Sequence, residues 1–206
     1  MKIIHLSDNH GSLPVLSNES NIVIHSGDLL PNMTRGDWSI EPIYQMDILE
    51  TNRDKIQNWL KGRTFLYCPG NHDFAESSKV VAFLRSIGID AYDMKDKRVD
   101  IEGISFYGFP WCPPITREWN YETSEDDINS RLKEVPQVDV LITHCPPGGI
   151  MDGGYGSNAM SLWLSYGVNI PRRAWLFGHM HEYSGVSEVM GIKFSNAATT
   201  QNVIEI

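Results

Sequence analysis

Carboxylates, imidazoles and one carboxamide recur in short clusters along this chain: Asp8-Asn9-His10, Gly27-Asp28, Gly70-Asn71-His72-Asp73, Thr143-His144 and Gly178-His179-Met180-His181. Taken singly, each has an ordinary explanation as a turn, a strand exit or a hydrogen-bonded histidine. Together they share one chemical demand. Imidazole nitrogen with carboxylate and amide oxygen, and no thiolate, is the ligand set of a transition-metal site. It suits Mn, Fe or Zn and is too nitrogen-rich for a typical Mg or Ca site. The number of ligands points to two ions. Two cations a few Å apart need a bridging anion, and Asp28 is the expected bridge because its strand lies between the others in sequence order. A hydroxide can bridge as well, since bound metals bring the pKa of water down to about 7.

The elements that must position these groups are short apolar runs. Residues 2–7, 22–26, 64–68, 138–142 and 174–177 are rich in Ile, Val, Leu and Phe and end in turn residues, the pattern of strands covered on both faces. Every cluster follows one of these runs, which predicts one site at one sheet edge, outside the carboxyl ends of the strands. If the clusters stay extended, Asp8 and His10 share a direction, and so do His179 and His181. Helical spacing appears over 40–61, 78–87 (with Gly88 closing it), 124–134 and 157–166, with Ser124 and Ser157 as N-caps. Residues 97–110 read as a hairpin turned at Glu102-Gly103. Residues 184–206 read as a second antiparallel set turned at Met190-Gly191. The expected architecture is α/β, one domain over residues 1–206, with two packed sheets and helices outside.

Composition narrows the function. The 206 residues carry 17 Lys plus Arg against 26 Asp plus Glu, a net charge of −9. That balance disfavours long nucleic acid and anionic membranes as partners. No apolar stretch approaches the roughly 20 residues of a membrane span, and the apolar part of residues 1–8 is too short for a signal peptide. Three cysteines, Cys68, Cys112 and Cys145, form no C-x-x-C pair, which suits a reducing, cytoplasmic setting.

The ordered set D-x-H, G-D, G-N-H-[DE], H and G-H-x-H resembles the calcineurin-like metallophosphoesterase superfamily over nearly the whole chain. His144-Cys145-Pro146-Pro147-Gly148-Gly149-Ile150-Met151-Asp152 fits H-x-P-P-x-G-x-x-D. Phe177 to Glu182 fits F-G-H-x-H-E. Both are similar to the metallophosphoesterase-domain-containing subgroup, some of whose members hydrolyse cyclic nucleotides. The resemblance implies a four-layer α/β/β/α sandwich of two mixed sheets flanked by helices. It also implies that Asp8, His10 and His181 hold one metal, Asn71, His144 and His179 the other, and Asp28 bridges. The expected ions are two divalent or trivalent transition metals, manganese first, with iron or zinc as alternatives. His72 would stand beside the phosphate, with Asn71 and Asp28 in the catalytic set. The implied activity is metal-dependent hydrolysis of small phosphodiesters. The alternatives are a protein phosphatase, a nuclease, or a non-catalytic scaffold of the same fold. One position departs from the family pattern: Pro31 stands where G-D-x-x-[DE] carries the acid that orients the G-N-H histidine, and Asn32 or Asp37 is left to substitute.

Other residues invite functional readings of their own. His5 and His25 lie inside strands and read as core histidines. Cys145 reads as a small packed residue. Trp111 is a candidate aromatic wall for a base, and Gly148–Gly156 a loop over the substrate anchored by Asp152.

Overall fold

The apolar runs become strands because both faces of each are covered. The computed structural model describes residues 1–33 and 38–206. In chain order it has β1 (Lys2–Leu6), β2 (Ile22–His25), α1 (Glu41–Thr51), α2 (Arg53–Leu60), β3 (Thr64–Tyr67), α3 (Ser77–Ser86), β4 (Asp90–Asp93), β5 (Arg98–Ile101), β6 (Ile104–Phe109), α4 (Glu125–Leu132), β7 (Val140–Thr143), α5 (Asn158–Tyr166), β8 (Ala174–Phe177), β9 (Gly185–Val189), β10 (Ile192–Asn196) and β11 (Gln201–Glu205). One sheet has the order β11-β1-β2-β3-β4, the other β5-β6-β7-β8-β10-β9. Within the first, β1 to β4 run parallel and β11 antiparallel. Within the second, β6, β7, β8 and β10 run parallel between antiparallel edges β5 and β9.

Alternation along the strands sorts side chains into three apolar layers. Ile3, Ile24 and Leu66 of the first sheet meet Phe106, Val140, Ile142 and Leu176 of the second. Their sequence neighbours point the other way. Ile4, Val23 and Phe65 pack under Leu49, Leu60, Val80 and Leu84 of α1, α2 and α3. Leu141, Trp175 and Phe177 pack under Ile128, Leu132, Met160 and Trp163 of α4 and α5. The result is the expected α/β/β/α layering, and it explains why the inner strands read as unbroken apolar runs.

Three local features depart from the sequence reading. The helix predicted over 40–61 is two helices, broken at Asn52, whose Nδ2 donates to the Ile48 carbonyl at 2.9 Å. The hairpin at Met190-Gly191 forms, but β11 does not join it; the chain crosses over and pairs β11 with β1. The strands that end in the polar clusters belong to two sheets rather than one: β1, β2 and β3 to the first, β7 and β8 to the second. The caps form as read, Ser124 accepting from Asp127 N–H and Ser157 from Met160 N–H. Glu125, in the first turn of α4, also accepts from Ser157 Oγ (2.8 Å) and from the N–H groups of Asn158 and Ala159 (each 2.9 Å). A carboxylate is thereby set at the positive end of α5.

Leu66 is fully buried between the sheets. Leu66→Ala should cost about 2–5 kcal/mol in chemical denaturation. Val15→Ala, at a side chain 93% exposed, should stay within about 0.5 kcal/mol.

Candidate metal centre

The two sheets meet at their carboxyl ends, and there the five clusters come together. The clusters are not extended. Asp8 (φ 57°), His10 (44°), Asp28 (58°) and His179 (69°) all adopt the left-handed conformation, so sharp turns rather than strand alternation aim the side chains. Each such residue costs about 1 kcal/mol or more, a strain typical of functional sites.

Both buried carboxylates are held by one oxygen and offered by the other. Asp8 Oδ2 accepts from His179 N–H at 2.8 Å, and its Oδ1 lies 3.2 Å from His181 Nε2. Asp28 Oδ1 accepts from His72 N–H at 2.8 Å. Its Oδ2 lies 3.4 Å from His144 Nε2 and 3.9 Å from His10 Nε2. His144 donates from Nδ1 to the Ser26 carbonyl at 3.0 Å, which turns Nε2 inward. Asn71 Oδ1 stands 2.8 Å and His179 Nδ1 3.1 Å from that nitrogen. Four potential ligand atoms, Asn71 Oδ1, His144 Nε2, His179 Nδ1 and Asp28 Oδ2, thus converge on one place. Asp8, His10 and His181 offer a second group of ligand atoms, all within 4.8 Å of one another. All seven residues singled out from the sequence as metal ligands are brought together.

The electrostatics fit a cation. Burial works against charge on Asp8 and Asp28. Hydrogen bonding from His181 at Asp8, and the proximity of His144 to both, outweigh it and hold both carboxyls below the usual range. Burial also opposes charge on His144, yet Asp28 and Asp8 draw its pKa up to about 9. His179, desolvated and beside His144, falls to about 4. The cage is electron-rich and asks for positive charge, and its nitrogen and oxygen donors suit a transition metal.

A family profile described as calcineurin-like phosphoesterase matches residues 1–183. The chain belongs to this family. A UPF0046 protein of Caenorhabditis elegans is 27% identical over 122 residues, 57% of this chain and 31% of that protein. A second is 26% identical over 215 residues, 96% of this chain and 69% of that protein. Metallophosphoesterase domain-containing protein 1 of Homo sapiens is 23% identical over 205 residues, 90% of this chain and 62% of that protein. The chain therefore spans between about a third and two thirds of these relatives' lengths. One solved structure superposes with a TM-score of 0.70 at 14% identity, covering 96% of this chain and 90% of that one, and so shares the fold.

In this chain the His72 ring finds a partner one residue after Pro31. His72 Nδ1 and Asn32 Oδ1 are 2.6 Å apart. Asn32 Nδ2 donates to the His72 carbonyl (3.1 Å) and to Glu41 (3.4 Å), which sets the amide so that its oxygen faces the ring. Gln45 adds a bond from Nε2 to the same carbonyl at 2.7 Å. On another side the ring centroids of His72 and Trp119 are 3.8 Å apart. Asp37, the other candidate partner, lies outside the described residues.

Several residues support the site although the sequence reading gave them no role in it. Asp73 accepts from the N–H groups of Asp28 (2.8 Å), Gly70 (2.9 Å) and Leu30 (3.0 Å), tying two clusters to one carboxylate. Burial, with the charge of Asp28, raises its pKa to about 6. His25 and His5 are buried and held neutral, near pKa 3, yet both brace the site. His25 Nε2 donates to Asn9 Oδ1 at 2.8 Å, and His5 bridges Ser26 and Ser195. Trp111 is not the wall of the site. Its Nε1 donates to Asp96 at 3.0 Å and the Arg131 guanidinium lies 3.8 Å from its ring, whereas Pro113, Pro114 and Ile115 line the cavity. Cys145 is packed and its thiol pushed up by burial.

Gly178 passes so close to β1's exit that a Cβ there would collide with Ser7 Oγ and Asp8 Oδ2. Gly178→Ala should weaken Mn binding about 10–100-fold, the range seen when ligand-orienting contacts are lost. Calorimetric titration of metal into the folded variant is the check.

Proposed function

We propose that this calcineurin-like phosphoesterase hydrolyses small phosphodiesters, cyclic nucleotides among them, using two transition-metal ions. The observation that carries the reading is Asp28 Oδ2, which faces His144 Nε2 on one side and His10 Nε2 on the other. Asp8, His10 and His181 would hold one ion, Asn71, His144 and His179 the other, and Asp28 would belong to both. Manganese is the first expectation, with iron or zinc as alternatives. When bound, such a pair supplies Lewis acidity toward the phosphate oxygens and toward the attacking water.

The chain's own groups complete the site. A cavity of about 820 Å³ opens over Asp8, His10, Asp28, His72, His179 and His181, room for a small ester. Asn71 Nδ2 is a buried donor with no partner among the described residues, and the reading assigns it to a phosphate oxygen. His72, fixed at Nδ1 by Asn32, lines the same cavity and serves the phosphate or the leaving oxygen. The surplus of acids over bases argues against a nuclease, which needs a basic groove. The reading includes a cytoplasmic setting, supported by three free, buried cysteines. Among the described residues no helix is long and apolar enough to cross a membrane.

Mn-loaded protein should turn over bis-p-nitrophenyl phosphate and at least one cyclic nucleotide. Asp28→Asn should lower kcat/KM about 1,000-fold, on the order of 4 kcal/mol of transition-state stabilisation. His72→Ala should lose less on p-nitrophenyl esters than on alkyl esters, whose leaving oxygen needs a proton. A protein that takes up Mn and hydrolyses none of these would be a binding module.

A further inference from the structure

The cavity over the metal centre has a second lining, made of Pro113, Pro114, Ile115, Tyr155, Met180 and Tyr183. Tyr155 is 75% exposed, Ile115 61% and Tyr183 45%. Aromatic and branched side chains left open to water around one polar cavity are characteristic of ligand sites.

The backbone beneath Tyr155 and the ring of Tyr183 are fixed by their surroundings. Asp152 Oδ2 accepts from Gly149 N–H at 3.0 Å and Gly156 N–H at 3.2 Å, and Tyr155 N–H donates to the Asp152 carbonyl at 2.9 Å. The glycine-rich segment is thereby closed on itself, with Tyr155 at the cavity. Tyr183 ends a short 3-10 turn that begins at His181, so one turn carries both a candidate metal ligand and an aromatic ring. The Tyr183 ring rests on Gly153, where φ is +57° and any Cβ would collide with it. Beyond Asp8, Asp28 and the histidines, the charged side chain among the described lining residues is Glu182, and none of them is Lys or Arg. Such a wall offers apolar and π surface without a cation. It favours an uncharged flat group and disfavours a second phosphate.

We infer that Tyr155 and Tyr183, with Ile115 lining the same cavity, form a specificity subsite for an uncharged aromatic group carried on the retained, non-leaving ester arm of the phosphate at the metal centre. This rests on the phosphoesterase reading. Tyr155 and Tyr183 select the substrate, and Gly153 and Asp152 position them.

The test compares two diesters with one leaving group, methyl p-nitrophenyl phosphate and the p-nitrophenyl ester of thymidine 5′-phosphate, on Mn-loaded protein. The thymidyl ester should be favoured in kcat/KM by about tenfold or more, the worth of one stacked base. Tyr155→Ala, Tyr183→Ala and Gly153→Ala should each shrink that ratio several-fold. Tyr166→Ala, at an exposed tyrosine outside this cavity, should leave it alone. Calorimetric titration with thymidine 5′-phosphate and with methyl phosphate reads the subsite without turnover. If neither ester is hydrolysed, the phosphoesterase reading fails and the titration still decides the subsite. Equal wild-type affinity for the two phosphates, or a preference that both tyrosine variants retain, overturns it.

Discussion

Two carboxylates buried a few Å apart are the constraint on which the rest of this structure depends. Asp8 and Asp28 are 3% and 2% exposed. Burying ionised groups without compensating charge is prohibitively costly, so the fold must surround them with donors and invite a cation between them. It does both with the same device. A backbone N–H pins one oxygen of each carboxylate, from His179 to Asp8 and from His72 to Asp28, and leaves the other oxygen facing imidazoles. The groups that donate these bonds flank candidate ligands or are candidates themselves, so no cluster can be assembled alone.

That mutual dependence explains the architecture. Five strand ends from two sheets must arrive together with sub-Å tolerance. Packing the sheets face to face over Leu66, Phe106 and Ile142 brings the carboxyl ends of β1, β2 and β3 beside those of β7 and β8. The Ser26 carbonyl then orients His144 across the gap, while Asp73 ties the second and third clusters from below. His5 and His25, neutral and buried, hold the strands and loops behind the candidate ligands. Four left-handed residues supply the turns, and their strain is offset by the bonds that the turned side chains make.

Much of this was legible in the sequence because two-faced burial and clustered donor side chains both leave local marks. The inner strands are apolar runs, the candidate ligands are residue types seldom grouped at strand ends without cause, and the family motifs follow in order. The departures are places where the decisive partner is distant. Nothing local in Gln201–Glu205 distinguishes pairing with β10 from crossing to β1. Asn52 breaks a helix whose apolar spacing runs on through it. Strand alternation put Asp8 and His10 on one face, and the structure reaches that result through left-handed turns instead. Pro31 marked a missing partner for His72, but choosing Asn32 required seeing Glu41 and Gln45 hold its amide and the His72 carbonyl. Trp111 was the conspicuous aromatic; the rings at the cavity, Tyr155 and Tyr183, sit in turns with no periodicity to announce them.

The most direct test of a shared Asp28 is electron paramagnetic resonance of the protein loaded with Mn. A carboxylate oxygen common to both ions predicts two Mn per chain and the broadened, multiline spectrum of an exchange-coupled pair. Asp28→Asn should reduce it to the six-line signal of isolated Mn. One Mn per chain, or two ions whose signals remain isolated in the unmodified protein, would contradict the assignment of Asp28 as the bridge.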